Sequence, residues 1–270
     1  MYIKNSKRNF RLIILGGYTM KNNRVLGDKV NVNYDSIAAF FEGRREKKLD
    51  NKYNLVLFQD DCPELAIKRD EMEKKKISPL LSVKEHQRVL DIGCGIGRWG
   101  EYLLEQGLYY VGIDGSSYMI EQAEENLRQF ENKKLLVGIF QELLDVLKKS
   151  GEQKEFDMIF VNGVFMYLND EDYIRALDDI KKVAGESCII YVKESMARVK
   201  RLTLDEIYSE SLTQEYSAIY RSIKEYDETL RESWCPEFEL KEQGELFPEE
   251  LVNRKETLDY YLIFEKTENQ

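Results

Sequence analysis

Histidine is almost absent from this chain of 270 residues, whose only imidazole belongs to His86. A single histidine excludes chemistry that needs two or three, including a two-histidine zinc site. Cysteine is also sparse, and Cys62, Cys94, Cys188 and Cys235 form no C-x-x-C pair. We therefore expect free thiols, no bound metal and a reducing, cytoplasmic location.

Long apolar runs are missing as well. The longest early run covers residues 12–15, far below the ~20 residues that a membrane-spanning helix needs. No membrane span is therefore predicted, and the residues after the run offer no small-residue cleavage site for a signal peptide. We expect residues 1–28 to form a flexible extension, with Met20 as an alternative start to Met1.

Basic residues are outnumbered, because 40 lysines and arginines face 50 aspartates and glutamates, for a net charge of −10. This balance disfavours nucleic acid as a partner, since proteins that bind it usually show a basic face. The hydrophobic content of 43% and the length of 270 residues predict one large domain with a sizeable core. The oligomeric state is not indicated.

The first part of the chain predicts a helical cover over residues 29–84. Apolar side chains recur at helical spacing over residues 32–49, and an extended piece is expected at residues 55–58. A second helix is predicted to begin at Pro63, with Asp61 as its N-cap, because proline favours the first helical turn.

From residue 85 onward, apolar strand-like runs alternate with amphipathic helical stretches. The predicted strands are residues 88–92, 109–113, 134–140, 156–161 and 187–192, followed by 238–246 and 258–265. Strands that alternate with helices indicate right-handed β-α-β units, an α/β class and a mostly parallel sheet. The last two strands are free to pair antiparallel, and the charged, tyrosine-rich residues 200–232 predict a helical insert in the domain of residues 85–270.

A glycine-rich turn follows the first of these strands, in the sequence V-L-D-I-G-C-G-I-G-R-W that begins at Val89. Its spacing is G-x-G-x-G, which differs from the G-x-G-x-x-G of dinucleotide sites. Asp114 ends the next strand, 21 residues after Gly93, where an acid can hydrogen-bond ribose hydroxyls. Asp91 would repel a pyrophosphate but suits ammonium and sulfonium groups, which favours S-adenosylmethionine.

These motifs resemble those of the class I S-adenosylmethionine-dependent methyltransferases. The resemblance covers about residues 85–195, and residues 260–266 are similar to the last strand of that family. It implies a Rossmann-like, seven-stranded, mostly parallel sheet with an antiparallel last strand and helices on both faces. The N-terminal helices would then form a lid over the cofactor.

The resemblance also implies a set of cofactor-binding residues. This set is Asp91, Gly93, Cys94, Gly95, Gly97, Asp114, Gly115, Ser116, Met119, Gln141, Glu142, Asn162 and Gly163. Asp91 and the first two glycines would line the methionine part, while Gly97 would allow close packing. Asp114 would hold the ribose, and Gln141 or Glu142 would stand where the family often has an acid beside the adenine.

Methyl transfer to a hydroxyl benefits from a general base, and His86 lies ahead of the first strand of the sheet, away from its carboxyl edge. We therefore expect that a base, if one is used, is Glu194, Tyr167 or Tyr34. Glu194 follows the fifth strand at the carboxyl edge of the sheet, where ligands bind in open α/β folds.

Several further side chains are candidates for contacts with the ligands. Arg98 and Arg69 are candidates for the carboxylate of the cofactor, although packing or a solvated face also explains them. Tyr216, Tyr220 and Arg221 lie in the predicted insert, where they could grip a sugar or a phosphate or simply pack in the core.

We expect the methyl acceptor to be a small molecule or a glycan, with O-methylation of a sugar or a related polar group as the specific hypothesis. The upstream helices resemble, more loosely, those of bacterial sugar and polysaccharide methyltransferases. A protein or RNA methyltransferase is the alternative, although residues 162–165 read N-G-V-F instead of an N-P-P-Y-type motif. A non-catalytic protein that binds S-adenosylmethionine for regulation is the third possibility.

Overall fold

A computed structural model describes residues 23–267, and residues 1–22, including the alternative start at Met20, lie outside the described part. The N-terminal elements are β1 (Arg24–Leu26), α1 (Tyr34–Gly43), α2 (Asn54–Leu57) and α3 (Pro63–Ile77). Helix α3 begins at the proline, as predicted, but its N-cap is Cys62 and not Asp61.

The central part of the chain alternates strictly between strands and helices. Its elements are β2 (Arg88–Ile92), α4 (Arg98–Glu105), β3 (Tyr109–Asp114), α5 (Ser117–Asn126), β4 (Lys133–Val137), α6 (Leu143–Lys149), β5 (Phe156–Asn162), α7 (Asp170–Val183) and β6 (Ala184–Ala197). The C-terminal part adds β7 (Leu202–Ser209), β8 (Gln214–Tyr220), α8 (Ile223–Trp234), β9 (Phe238–Glu245) and β10 (Thr257–Lys266).

The main sheet has seven strands in the order β4-β3-β2-β5-β6-β10-β9. Strands β2 to β6 pair in parallel, whereas β10 pairs antiparallel with both β6 and β9. This confirms the predicted Rossmann-like sheet with an antiparallel last strand. The carboxyl ends of β2, β3 and β5 meet at one edge, and the order of the strands reverses between β2 and β5, because β3 and β4 lie on one side of β2 and β5 and β6 lie on the other.

Both faces of the sheet are covered by helices, so two apolar layers form the core. One layer packs residues of the strands against α6, α7 and α8, with Trp234 and Tyr226 fully buried in it. The other layer packs the opposite strand face against α3, α4 and α5 around Trp99. These layers fix the positions of the strand ends that carry polar side chains.

A second, three-stranded sheet in the order β1-β7-β8 lies beside the carboxyl edge of the main sheet. Together with α1 it encloses a cluster that includes Phe40, Tyr167, Leu202 and Tyr216. We call α1, β1, β7 and β8 the cover. The cover contributes side chains to one side of the cavity described below.

Besides the N-cap of α3, three local predictions were wrong. Residues 202–220 form a hairpin and not a helix, and only α8 is helical within the predicted insert of residues 200–232. Charged side chains at exposed hairpin positions hid the alternating apolar pattern that pairs β7 with β8. Residues 55–57 are helical instead of extended. Part of the predicted flexible extension of residues 1–28 is ordered, because strand β1 adds to β7 as an edge strand.

Candidate active site

The carboxyl ends of the strands border a cavity of about 310 Å³. Ligands of open α/β sheets bind at this edge, at the point where the strand order reverses, and drug-sized ligands occupy roughly 300–1,000 Å³. Side chains of α2 and the cover close the opposite side of the cavity. The cavity therefore has a rigid wall made by strand ends and an opposite wall made by α2 and the cover.

The glycine turn between β2 and α4 forms part of the rigid wall, and Gly93 and Gly95 line the cavity. Their φ angles are +70° and +54°, a left-handed region that favours glycine. A Cβ on Gly93 would also lie 2.3 Å from a methyl carbon of Val164. Gly97 lies outside the cavity lining and packs against Leu127, as the close-packing role predicts.

Asp114 ends β3 and is held by the same turn. Its Oδ2 accepts the Gly95 amide at 2.8 Å, and its Oδ1 accepts the Ser116 amide at 2.9 Å. Burial raises the pKa of Asp114 to about 6. Ser116 caps α5 and donates from its hydroxyl to Glu42 of α1 at 2.7 Å, which fastens the cover to this end of the cavity.

Asp91 lies at the end of β2, 3% exposed, and accepts the Tyr110 hydroxyl at 2.6 Å. Burial raises the pKa of Asp91 to about 7. The carboxylate lines the cavity together with Asp114. These two acids give this part of the cavity a negative character, and a cationic ligand group there would restore Asp91 to its charged form.

The remaining predicted cofactor residues separate into two groups. Those that line the cavity are Cys94, Gly115, Ser116, Met119, Gln141, Asn162 and Gly163. Glu142, the N-cap of α6, lies outside the lining, whereas Gln141 borders the cavity, and both residues are exposed. Within residues 23–267 both amide atoms of Asn162 are buried without a hydrogen-bond partner, which indicates a place for a polar ligand group.

Arg98 and Arg69 both line the cavity, but each is held by protein groups. Arg98 donates to Asp70 at 3.0 Å and to Glu73 at 2.6 Å. Arg69 donates to the Leu251 carbonyl at 2.6 Å. Arg98 thus anchors α3 to α4 in a buried ion-pair network, whereas Arg69 ties α3 to the segment before β10.

Glu194 is placed outside the cavity lining, contrary to the expectation that it serves as a base. It is fully buried, and its carboxylate accepts the backbone amides of Val164, Phe165 and Met166 at 2.9, 2.9 and 3.2 Å. Burial raises the pKa of Glu194 to about 7. The physical reason is the alternation of a strand, because neighbouring side chains point to opposite faces. Glu194 therefore holds the loop after β5.

The two tyrosine candidates do line the cavity. The Tyr34 hydroxyl donates to Asp172 and accepts the Asn169 amide at 3.0 Å, and burial together with Asp172 raises the pKa of Tyr34 to about 12. The Tyr167 hydroxyl lies 3.0 Å from that of Tyr216, and burial raises the pKa of Tyr167. Both hydroxyls therefore stay protonated near neutral pH and act as hydrogen-bond donors.

The imidazole of His86 is far from this chemistry. Its side chain is 85% exposed, and its backbone amide donates to Gly107 in the loop that precedes β3, at the amino ends of the strands. Arg221 is also structural, because its guanidinium donates to the carbonyls of Phe165 and Leu168 and to Asp170.

Four polar residues that line the cavity away from Asp91 and Asp114 were not predicted from the sequence. They are Lys193, Ser195, Arg254 and Asp259. Lys193 and Ser195 flank Glu194 on β6, and Asp259 of β10 pairs in register with Ser195. Because side chains alternate between the two faces of a strand, the sequence could have indicated that Lys193 and Ser195 share the face opposite to that of Glu194. Arg254 and Asp259 come from a later segment, whose position depends on the antiparallel pairing of β10 with β6.

Comparison with known proteins agrees with this fold. A methyltransferase-domain family model matches residues 90–190. Phosphoethanolamine N-methyltransferase 1 of Caenorhabditis elegans is 24% identical over 166 residues, which are 62% of this chain and 32% of that protein. Ribosomal RNA small subunit methyltransferase A of Borreliella afzelii is 25% identical over 194 residues, 70% of this chain and 59% of that protein.

Among solved structures, a phosphoethanolamine N-methyltransferase 1 of Haemonchus contortus has a TM-score of 0.64 at 19% identity. The match covers 87% of this chain and 49% of that one, whose complex contains phosphoethanolamine and S-adenosylhomocysteine. This likeness shows the fold, and the chain spans between a third and about three fifths of the two curated relatives. None of the helices within residues 23–267 is long and apolar enough to cross a membrane.

Proposed function

We propose that this chain, which has the fold of the class I S-adenosylmethionine-dependent methyltransferases, transfers a methyl group from S-adenosylmethionine to a small polar acceptor. The observation that carries the proposal is the convergence of Asp91, Asp114 and the glycine turn on one cavity. The family match over residues 90–190 supports it.

The residues present fit this cofactor. Asp91 would pair with its cationic methionine end, and the backbone of Gly93 and Gly95 would allow close approach. Asp114 already accepts two amides, yet a carboxylate has lone pairs left for ribose hydroxyls. Met119 supplies apolar surface for the adenine. Bound S-adenosylmethionine would supply an electrophilic methyl group on a sulfonium.

The protein's own part in the reaction is to position the acceptor and to exclude water. Asn162 ends β5 with an unpartnered amide, which can hydrogen-bond the nucleophilic atom of the acceptor. The Tyr34 hydroxyl already donates its one proton to Asp172, so it helps to shape the cavity, whereas the Tyr167–Tyr216 pair can donate a hydrogen bond to another part of the acceptor. Val164 packs on the glycine turn, so the loop held by Glu194 fixes the distance between the two halves of the site.

Away from Asp91 and Asp114, which are assigned to the cofactor, the acid–base properties of the lining favour a nucleophile that reacts without a strong base. The tyrosine hydroxyls stay protonated. Burial alone would raise the pKa of Asp259, but Lys193 and two arginines hold this pKa down at about 2. A carboxylate of such low basicity is a poor acceptor for the proton of a sugar hydroxyl. We therefore propose an amine as the acceptor group, ahead of the sugar hydroxyl that the sequence suggested, because its neutral form, reached by loss of a proton to water, has a lone pair that can attack the methyl carbon while the sulfur leaves as a thioether.

Two measurements test this function. Calorimetry should detect binding of S-adenosylhomocysteine, and the absence of binding to a folded sample would contradict the central claim. Labelled-methyl transfer should then be assayed with small amines, nucleotide sugars, glycans and RNA, and we expect the label in the amines. Transfer to RNA would favour the class of the ribosomal RNA relative, and binding without any transfer would favour a regulatory protein.

A further inference from the structure

The cavity has two ends of opposite charge. The negative end comprises Asp91 and Asp114 at the ends of β2 and β3. At the other end, Asp259 meets three cations. Its carboxylate lies 3.1 Å from the Lys193 ammonium and 3.9 Å from the Arg69 guanidinium, and Arg254 is close enough to lower the pKa of Asp259.

This second end carries an excess of positive charge. Asp259 is the only carboxylate within residues 23–267 that is ion-paired with Lys193 or Arg69. One carboxylate therefore faces Lys193, Arg69 and Arg254. Positive charge withdrawn from water in this way is unfavourable unless an anion compensates it. The arrangement indicates a missing negative group.

Arg254 is the cation with the most unused capacity. Its guanidinium lines the cavity, yet it makes no hydrogen bond and no ion pair with any residue of the described part of the chain. Arginine has five N–H donors in a planar fork that matches the oxygens of a carboxylate or a phosphate. The other two cations are already engaged, Lys193 with Asp259 and Arg69 with the Leu251 carbonyl.

Tyrosine hydroxyls beside Arg254 add a further donor. Tyr220 donates to Tyr216 at 3.3 Å, and the hydroxyls of Tyr216 and Tyr167 lie 3.0 Å apart. Two hydrogen bonds within a chain of three hydroxyls leave one proton unused, on either Tyr167 or Tyr216. Both of these residues line the cavity, so this proton is available to a ligand oxygen.

We propose that Arg254, with a hydroxyl of the Tyr167–Tyr216 pair, binds an oxyanion that belongs to the methyl acceptor. The acceptor is thus a small molecule with a nucleophilic nitrogen at one end and a phosphate or carboxylate at the other. This inference rests on the proposed methyl transfer, and it adds the second recognition group of the substrate.

The position of Arg254 separates this subsite from the cofactor. Its neighbour Asp259 pairs with Ser195 of β6, and β6 and β10 are two and three strands away from β2 in the sheet. At about 4.8 Å per strand the two ends of the cavity lie roughly 10 to 14 Å apart. Asn162 of β5 lies between them, where the nitrogen of an acceptor would be held.

The test uses inorganic phosphate and acetate as probes of the full-length protein saturated with S-adenosylhomocysteine. Calorimetry at constant ionic strength should detect binding of at least one anion. Arg254→Ala should weaken that binding by roughly 10- to 100-fold, because a hydrogen-bonded charge partner is lost. Lys255→Ala is the matched control, since this neighbouring cation is exposed, and it should bind the anion like the parent protein.

The outcomes are distinct. Stronger binding of phosphate than of acetate identifies a phosphate monoester as the acceptor group, and the reverse identifies a carboxylate. Absence of binding by both anions, or equal binding by Arg254→Ala, overturns the proposal. A loss of S-adenosylhomocysteine affinity in Arg254→Ala also overturns it, because Arg254 would then belong to the cofactor site. Failure of the parent protein to bind S-adenosylhomocysteine instead contradicts the proposed function.

Tyr167→Phe provides a second variant that removes only one oxygen. It should weaken anion binding by a smaller factor than Arg254→Ala, since a neutral donor contributes less than a charged one. With an active amine acceptor, both variants should raise KM for the anionic acceptor more than they lower kcat. A purely structural role would not produce this dependence on the charge of the acceptor.

Discussion

At the scale of single residues, two carboxylates, the buried Asp91 and the partly buried Asp114, determine how the negative end of the cavity responds to its ligand. Asp91 and Asp114 have pKa values raised by burial to about 7 and about 6. Each is held in place by donors, Asp91 by the Tyr110 hydroxyl and Asp114 by the amides of Gly95 and Ser116. Their positions are therefore set before any ligand arrives.

Asp114→Ala should weaken binding of S-adenosylhomocysteine by roughly 10- to 100-fold, the cost of losing charge-assisted hydrogen bonds to the ribose. Calorimetry measures this change, and circular dichroism should show an unchanged fold. Glu142→Ala is the control, because this exposed acid lies outside the cavity and its loss should leave the affinity intact. Equal affinities for all three proteins would show that Asp114 does not hold the ribose.

Binding of S-adenosylmethionine should weaken as the pH falls below about 7. The raised pKa of Asp91 means that its carboxyl is increasingly protonated there in the free protein, while a cationic ligand needs the carboxylate. Binding between pH 6 and 7 should therefore release a proton, which calorimetry detects in buffers of different ionisation enthalpy. Asp91→Asn should bind more weakly and lose this proton release. Proton release that persists in Asp91→Asn would assign it to another group.

At the scale of elements, β6 combines two tasks on its two faces. Lys193 and Ser195 face the cavity, and Glu194 between them anchors the loop after β5 through three backbone amides. That loop places Val164 against Gly93. Glu194 thus connects the strand to the glycine turn by way of the loop, and its effect on catalysis is one of position.

Glu194→Ala should lower the free energy of unfolding by about 3 kcal/mol, because buried amides lose their acceptor. Urea denaturation measures the loss. If the residue only positions the loop, kcat should fall at every pH, and the decrease of kcat toward low pH seen in the parent protein should remain. A variant of full stability whose kcat falls more than about 100-fold, the contribution expected of a general base, would restore the catalytic assignment.

The elements that sequence patterns could predict are those with a single strong signal. The strands of residues 88–192 are apolar and evenly spaced, and the glycine turn and Asp114 follow from motif spacing, so their place at the carboxyl edge of the sheet could be predicted. That they hold a cofactor stays a prediction. Arg254 and Asp259 have no local motif and depend on how β10 pairs with β6. The hairpin β7–β8 was missed because its surface charges resemble those of an amphipathic helix.

At the scale of the whole molecule, three carboxyl groups, two that line the cavity and one that lies outside its lining, oppose folding at high pH. Asp91, Asp114 and Glu194 all have pKa values raised by burial, so the folded state retains protons that the unfolded state has lost. Stability from this source is present at low pH and declines as the pH rises through about 6 to 7. The depressed pKa of Asp259 acts in the opposite direction, but only below about pH 4.

The ligand-free protein should therefore have a higher Tm near pH 5.5 than near pH 8. Saturation with S-adenosylmethionine should reduce this difference, because its cationic groups stabilise the charged form of Asp91. Differential scanning fluorimetry at constant ionic strength measures both effects, and Asp91→Asn should show a weaker dependence on pH. A Tm that rises steadily from pH 5.5 to 8 in the ligand-free protein would contradict the raised pKa values.

The cover and the main sheet contribute to the cavity from separate stretches of the gene. The glycine turn and Asp114 are encoded within residues 90–190, whereas Tyr216 and Arg254 are encoded after β6. If the proposed function is correct, recombination or rapid divergence in the later stretch would alter which acceptor is recognised and leave the proposed cofactor site unchanged. A lineage with this architecture can acquire new substrates by exchanging a hairpin and a loop.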